Sequence, residues 1–361
     1  VGEPDFPTPE NIKEAGKKAL DNNQTKYTIN SGTVELRKAI LNKLKRDDNL
    51  DYDISEVIVN SGAKHSVFNT LFATVNKGDE VIIPAPYWVS YPEMAKMAEG
   101  VPVFVDTDEK NGFKMTPEQL EKAITPKTKV LIICNPSNPT GSAYTEEELK
   151  GIAKVCSKYN FLIISDEIYE KLIYDDYKFI SFAAISPEIK KRTVVVNGVS
   201  KSYAMTGWRI GYCAGPKDII SAINKIQSNT TSHASSISQY ASVEALNGTQ
   251  ETVKSMLGEF RKRREYLYSE LTSIKGITCY KPEGAFFLFP NISAFFGKSV
   301  DDITINNSTD FAMYLLNKAN IAVVPGSAFG AEGFIRISYA TSMESIKEAC
   351  RRLKETLQHL K

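Results

Sequence analysis

The chain has little of what would commit it to metal, disulfide, membrane or polyanion chemistry. Its three histidines, His65, His233 and His359, show no ligand spacing with one another or with a cysteine, so a zinc site is not expected. The five cysteines, Cys134, Cys156, Cys213, Cys279 and Cys350, are odd in number, widely spread and mostly set in apolar segments, which points to reduced, buried thiols. No apolar run approaches the roughly 20 residues that span a bilayer. The opening lacks the basic, apolar and small-residue regions of a signal peptide, and a cytoplasmic protein is expected. Neither charge is in excess: 44 basic and 43 acidic side chains leave a formal net charge of +1, without the field that draws nucleic acid or an anionic membrane. Repeats, low-complexity tracts and Gly/Ser-rich linkers are also missing, so any domains should pack closely. The chain starts at Val1 without methionine and enters at once into Gly-Glu-Pro-Asp-Phe-Pro, from which a preceding N-terminal piece is expected.

What is present is a recurrence of short apolar runs bounded by turn signals: Val57-Ile-Val, Glu80-Val-Ile-Ile, Val101-Pro-Val-Phe-Val, Lys129-Val-Leu-Ile-Ile-Cys, Phe161-Leu-Ile-Ile, Thr193-Val-Val-Val and Arg209-Ile-Gly-Tyr-Cys. Runs of this kind predict strands buried on both faces. Helical spacing falls between them, in Val67, Phe68, Leu71, Phe72 and Val75, and again in Leu149, Ile152, Ala153, Cys156 and Tyr159 behind a Thr145/Glu148 capping box. Alternating strands and helices predict an α/β protein with a mostly parallel sheet, whose ligands sit at the carboxyl ends of the strands. The basic run near Leu257–Leu271 reads as a solvated amphipathic helix rather than a nucleic-acid patch, because Phe260, Tyr266 and Leu267 interleave it. Beyond it, Phe286-Phe-Leu-Phe, a helix near Phe311–Asn317, Ile321-Ala-Val-Val and Phe334-Ile-Arg-Ile-Ser predict a smaller α+β unit.

The chemistry gathers at a few turns. In Asn197-Gly-Val-Ser-Lys-Ser-Tyr-Ala-Met-Thr-Gly-Trp-Arg-Ile-Gly-Tyr212, Lys201 stands just past a buried-strand pattern, with the Ser200 hydroxyl before it and Arg209 after it. A primary amine forms an imine with an aldehyde, most readily when its pKa is depressed, while a hydroxyl and an arginine fork suit a phosphate. Pyridoxal 5'-phosphate joins both groups in one molecule. The competing reading is a loop lysine and a surface arginine. Asp166 ends another strand and opens Asp-Glu-Ile-Tyr169; it can ion-pair with a pyridine nitrogen or cap a following helix. Tyr169 can reach the ring's phenolic oxygen. In Asn135-Pro-Ser-Asn-Pro-Thr-Gly141, Asn138 is either a turn residue or an amide that bonds ring and substrate oxygens. Ser61-Gly-Ala-Lys64 lies between a strand and a helix start, where free N–H groups favour an anion. Trp88 offers a flat face to a ring or a body to a core. Arg336, between Ile335 and Ile337, needs a planar anion, from a substrate carboxylate or from a structural Asp or Glu.

In this order and spacing the motifs resemble the class I aminotransferases of PLP fold type I, in the prokaryotic-type aspartate aminotransferase branch, over essentially the whole chain. The resemblance implies a seven-stranded, mostly parallel sheet flanked by helices in a large domain of residues 39–288, with residues 1–38 and 289–361 forming a small domain. It makes Lys201 the internal-aldimine lysine and the proton carrier between the substrate Cα and the cofactor C4′. Asp166 is then the partner of the pyridine nitrogen, Tyr169 and Asn138 bond the ring hydroxyl, and Trp88 stacks on the ring. Ala63, Lys64, Ser200 and Arg209 surround the phosphate, and Arg336 clamps the α-carboxylate. Gly2 matches a segment lining the substrate site. Tyr27 matches a tyrosine reaching the phosphate across a dimer interface, which implies a homodimer with composite sites. The animal-type enzymes take a distal-carboxylate arginine from the region matching Ile226–Tyr240, and this chain has none there. In the branch resembled, Lys64 holds the position implicated in that contact, so aspartate, glutamate and their oxo acids are the expected substrates. Relatives using prephenate share this lysine. Aromatic or kynurenine-type transamination, a PLP lyase or synthase, and a catalytically idle sensing module are the other readings.

Overall fold

A computed structural model describes residues 2–361. All seven apolar runs become strands of one sheet: β1 (Val57–Asn60), β2 (Glu80–Ala85), β3 (Val101–Asp106), β4 (Thr128–Cys134), β5 (Leu162–Asp166), β6 (Thr193–Gly198) and β7 (Gly211–Ala214). Their order is β1-β7-β6-β5-β4-β2-β3, and β7 alone runs against its neighbours. Alternate residues of β4 explain why a continuous apolar run was needed. Val130 and Ile132 join Val67 and Leu71 of the helix Ala63–Thr74 in one core, while Leu131 and Ile133 join Leu149 and Ile152 in the core on the other face. The capping box predicted at Thr145 and Glu148 is present and starts the helix Glu146–Cys156.

Burial on both faces fails at β3. It has a neighbour on one side only, and Val101 and Phe104 remain about half exposed. Arg209 is not part of a strand either: β7 starts at Gly211, and Arg209 sits before it with φ of 57°.

The division of the chain at residue 38 does not follow the packing. The helices α1 (Glu10–Asp21) and α2 (Val34–Asp48) both lie on the helix Ser236–Asn247, and Ile12 and Leu36 share a core with Val57 and Tyr212 of the large sheet. The reason is the apolar face of α1, which buries Ile12, Gly16 and Ala19. On the other side, the long helix Glu251–Thr272 sends Phe260, Leu267 and Leu271 into the core of the C-terminal part, with Phe311, Leu315 and Ile346. That part carries a three-stranded antiparallel sheet in which Ile335–Ser338 lies between Val324–Pro325 and Phe287–Leu288.

Candidate active site

The reversal of β7 determines what meets at the sheet edge. Six strands bring their carboxyl ends there, and β7 brings its beginning. Because β7 pairs with β1, with Gly211 opposite Asn60, Arg209 lies beside the turn Ser61–Lys64, as a shared anion site would require. Arg209 donates to the Thr206 carbonyl at 2.9 Å and to the Ser61 carbonyl at 3.3 Å. Gly62, at φ of 89°, is where the chain must pass under that guanidinium, since a Cβ there would run into it. The third helix, α3 (Ala63–Thr74), then begins with its first N–H groups at the cavity.

The cavity has a volume of about 350 Å³, and every expected site residue except Tyr27 lines it: Gly2, Ala63, Lys64, Trp88, Asn138, Asp166, Tyr169, Ser200, Lys201, Arg209 and Arg336. Lys201 donates from Nζ to the Gly2 carbonyl. Its pKa is pushed down to about 8, chiefly by burial, with Glu3 opposing and the Arg209 and Arg336 charges reinforcing the shift.

Asp166 is 4% exposed, and no helix follows for it to cap. Its Oδ1 instead accepts the Ile168 N–H at 3.3 Å, and its Oδ2 accepts the Tyr91 hydroxyl at 2.6 Å. Burial raises its pKa, and no cation lies within ion-pair distance among the described residues. A carboxylate buried in this way is incomplete without a cationic partner. Arg336 has the converse need. It donates to Asn138 Oδ1 at 2.8 Å, and its guanidinium carbon lies 4.4 Å from the Phe287 ring centre and 5.0 Å from that of Phe329. Its Nε is buried without a partner, and among the described residues no carboxylate pairs with it. The structural Asp or Glu that would have satisfied Arg336 from within is therefore missing. Trp88 is half-buried and stands edge-on to Tyr91, with Lys64 Nζ 4.9 Å from its ring centre.

The sequence profile of the family described as "Aminotransferase class I and II" matches residues 1–353. The chain belongs to this family. The aminotransferase is 52% identical over 359 residues to the probable aspartate/prephenate aminotransferase of Rickettsia conorii, covering 99% of this chain and 90% of that one. It is 50% identical over 362 residues to the aspartate aminotransferase of Geobacillus stearothermophilus, with 99% and 90% covered. Among solved structures it matches the aspartate aminotransferase from Rhizobium meliloti at a TM-score of 0.98 and 45% identity, covering 100% of this chain and 91% of that one. The Thermus thermophilus aspartate aminotransferase with maleate gives 0.93 and 40%, over 99% and 90%.

Tyr27 is 93% exposed, edge-on to His233 at 5.6 Å, and takes no part in its own chain's cavity. Conversely, sequence reasoning about this aminotransferase singled out Trp88 and missed Tyr91, three residues further on. Its signal was the spacing of three from Trp88, which puts both on one side of the turn entering the helix Ser90–Met97. Phe329, packed on the Arg336 guanidinium, had no such local signal.

Proposed function

We propose that this aminotransferase exchanges the amino group of aspartate or glutamate with a 2-oxo acid such as 2-oxoglutarate, using pyridoxal 5'-phosphate. The observation that carries the proposal is a charge imbalance. Lys64, Lys201, Arg209 and Arg336 line the cavity without an ion-pair partner among the described residues, against the single carboxylate of Asp166. Such a cavity suits a phosphate together with a dicarboxylate. The Thermus relative's complex with maleate, itself a dicarboxylate, supports the same reading.

The residues also fit the cofactor. Ala63 and Lys64 N–H groups, Ser200 and Arg209 suit its phosphate, while Asp166 would supply the anion its pyridinium nitrogen needs. Tyr169 and Asn138 would bond the ring oxygen, and Trp88 would cover the ring face. When bound, the cofactor supplies an aldehyde that condenses with amines and a ring that withdraws electrons from the substrate Cα. Lys201 would take the Cα proton and return it, Arg336 would hold the α-carboxylate, and Lys64, beside Trp88, the distal one. Gly2 would close the substrate side.

A homodimer belongs to this reading, with Tyr27 completing the partner's phosphate site. Leu20, Ile29 and Phe72 are more than half exposed and suit burial in such an interface. No helix of the described residues is long and apolar enough to cross a membrane; a cytoplasmic location is part of the proposal. Prephenate is a further acceptor to test, since several relatives are named for it.

The test is a substrate panel of aspartate, glutamate, alanine, tyrosine and prephenate, read by the bleaching of the cofactor's visible absorbance and by product analysis. Aspartate should bleach the protein and transfer nitrogen to 2-oxoglutarate; release of a substituent or carbon dioxide instead would overturn the reading. In the same panel, Lys64→Ala should raise KM for aspartate about tenfold, the scale of one charge-assisted hydrogen bond, and leave alanine nearly unchanged. Equal losses for the two would move Lys64 from the substrate to the phosphate.

A further inference from the structure

We infer that His65 is a positioning residue for the cofactor's phosphate, acting through the backbone of the turn rather than by touching the anion. The inference rests on the cofactor reading above. His65 is the third residue of α3, whose N-cap, Gly62, has no side chain to cap the helix. Its Nδ1 accepts the Ser61 N–H at 3.2 Å, closing the turn from the helix side one residue before the N–H that a capping box would take.

An accepting ring nitrogen carries no hydrogen, so the imidazole hydrogen is on Nε2. Nε2 lies 3.0 Å from the atom assigned as Nδ2 of Asn69, one turn further along α3. A donating Nε2 calls for the amide oxygen opposite it. Asn69 Oδ1 is otherwise a buried acceptor with no partner, on a side chain only 1% exposed. The amide orientation that puts Oδ1 against Nε2–H satisfies both groups. The result is a relay: buried Asn69 fixes the ring, and the ring fixes Ser61.

The consequence lies at the anion site. Ser61 N–H is taken by His65, Gly62 N–H by the Asn60 carbonyl at 2.8 Å, and the His65 and Ser66 N–H groups by the Gly62 carbonyl at 3.0 and 3.3 Å. The Ala63 and Lys64 N–H groups are left without an acceptor among the described residues, and both residues line the cavity beside Arg209. The side chain thus holds the turn in an arrangement that presents two free donors to the cavity. Burial lowers the His65 pKa, which keeps Nδ1 an acceptor at neutral pH.

The experiment compares pyridoxal 5'-phosphate with pyridoxal, titrated into the cofactor-free protein at pH 8 and followed by protein fluorescence and visible absorbance. The ratio of their Kd values isolates what the phosphate contributes. His65→Leu should weaken the phosphorylated ligand about fivefold and pyridoxal less than about twofold, as loss of one hydrogen bond predicts. His65→Gln, whose Oε1 can still accept the Ser61 N–H, should restore the ratio. Equal weakening of both ligands, no weakening, or failure of glutamine to rescue would overturn the inference while wild-type protein still prefers the phosphorylated ligand. A wild-type protein that binds the two alike would overturn the cofactor reading itself, and this inference with it.

Discussion

Lys201→Ala is expected to lower amino transfer on the order of a thousandfold or more, while the variant still folds and still binds the cofactor reversibly. The size follows from the two tasks that the proposed function gives Nζ: covalent attachment and proton transfer at the substrate Cα, the second alone worth about 10²–10⁴ in rate. Small added amines should restore part of the turnover, because the missing group is a base of modest size. The pH dependence has a definite sign. At pH 7.5 an amine of ordinary pKa near 10.4 is neutral in about one molecule per thousand. With the pKa lowered to about 8 by burial, a sizeable fraction of Lys201 is neutral at that pH. Capture of the cofactor by cofactor-free protein should therefore quicken as pH rises, with a midpoint near pH 8. Stopped-flow absorbance checks this, and a midpoint above pH 10 would show that the buried environment does not act on this lysine. Turnover by Lys201→Ala at the wild-type rate would remove it from the mechanism.

Behind the site lies the group whose loss should cost the most stability. Asp166 and Tyr169 face the cavity, whereas Glu167 and Glu170, on the same turn, are buried in the opposite direction. There Lys43 of α2, fully buried, bonds Glu170 and lies 2.8 Å from Asp48. Burial alone would lower the Lys43 pKa; the Glu170 carboxylate, with Tyr212 and Asp48, holds it well above the ordinary value. Lys43→Met should cost about 3–5 kcal/mol, the penalty for leaving buried carboxylates without their cation. The midpoint of urea unfolding should fall with little change in slope. An unchanged midpoint would mean that water or a shift of α2 already screens the cluster.

The sign of its pH dependence follows from the carboxylates. Burial, then the neighbouring carboxylates, raise Asp48 to about 6 against the pull of Lys43, and Glu167 to about 8. Raised carboxylates hold protons in the folded state that the unfolded chain has released. Their contribution is therefore full below about pH 4 and is lost as pH rises through about 6 and about 8. The Lys43→Met penalty should accordingly be smaller at pH 5 than at pH 8.5, and Glu167→Gln should flatten the upper part of the wild-type stability profile.

Much of this architecture was legible along the chain because its causes are local. An apolar run of strand length, a Thr145/Glu148 cap, or a Gly62 turn at a helix start depends on residues within a few positions of one another. Lys201, Asp166 and Asn138 could be singled out because each stands where an apolar run stops. Contacts between distant segments left no such trace. Only the fold brings the Tyr91 hydroxyl to Asp166, and nothing local to Lys43 marks it as buried against the turn at Glu170.

Composition and short-range pattern thus settled the α/β class and the strands, since these follow from burial periodicity and turn chemistry, while the order of the motifs carried the resemblance to the family. The tertiary structure decided the rest. Sheet order and the reversed β7 place Arg209 at the Ser61–Lys64 turn, leave β3 as a half-exposed edge and assemble around one carboxylate four cations that are unpaired among the described residues. Packing, not chain position, puts α1 with the large sheet and turns Tyr27 outward. The physical reason is common to all of these: which strands neighbour, and which charges lack partners, are properties of contacts between remote segments, and no local periodicity encodes them.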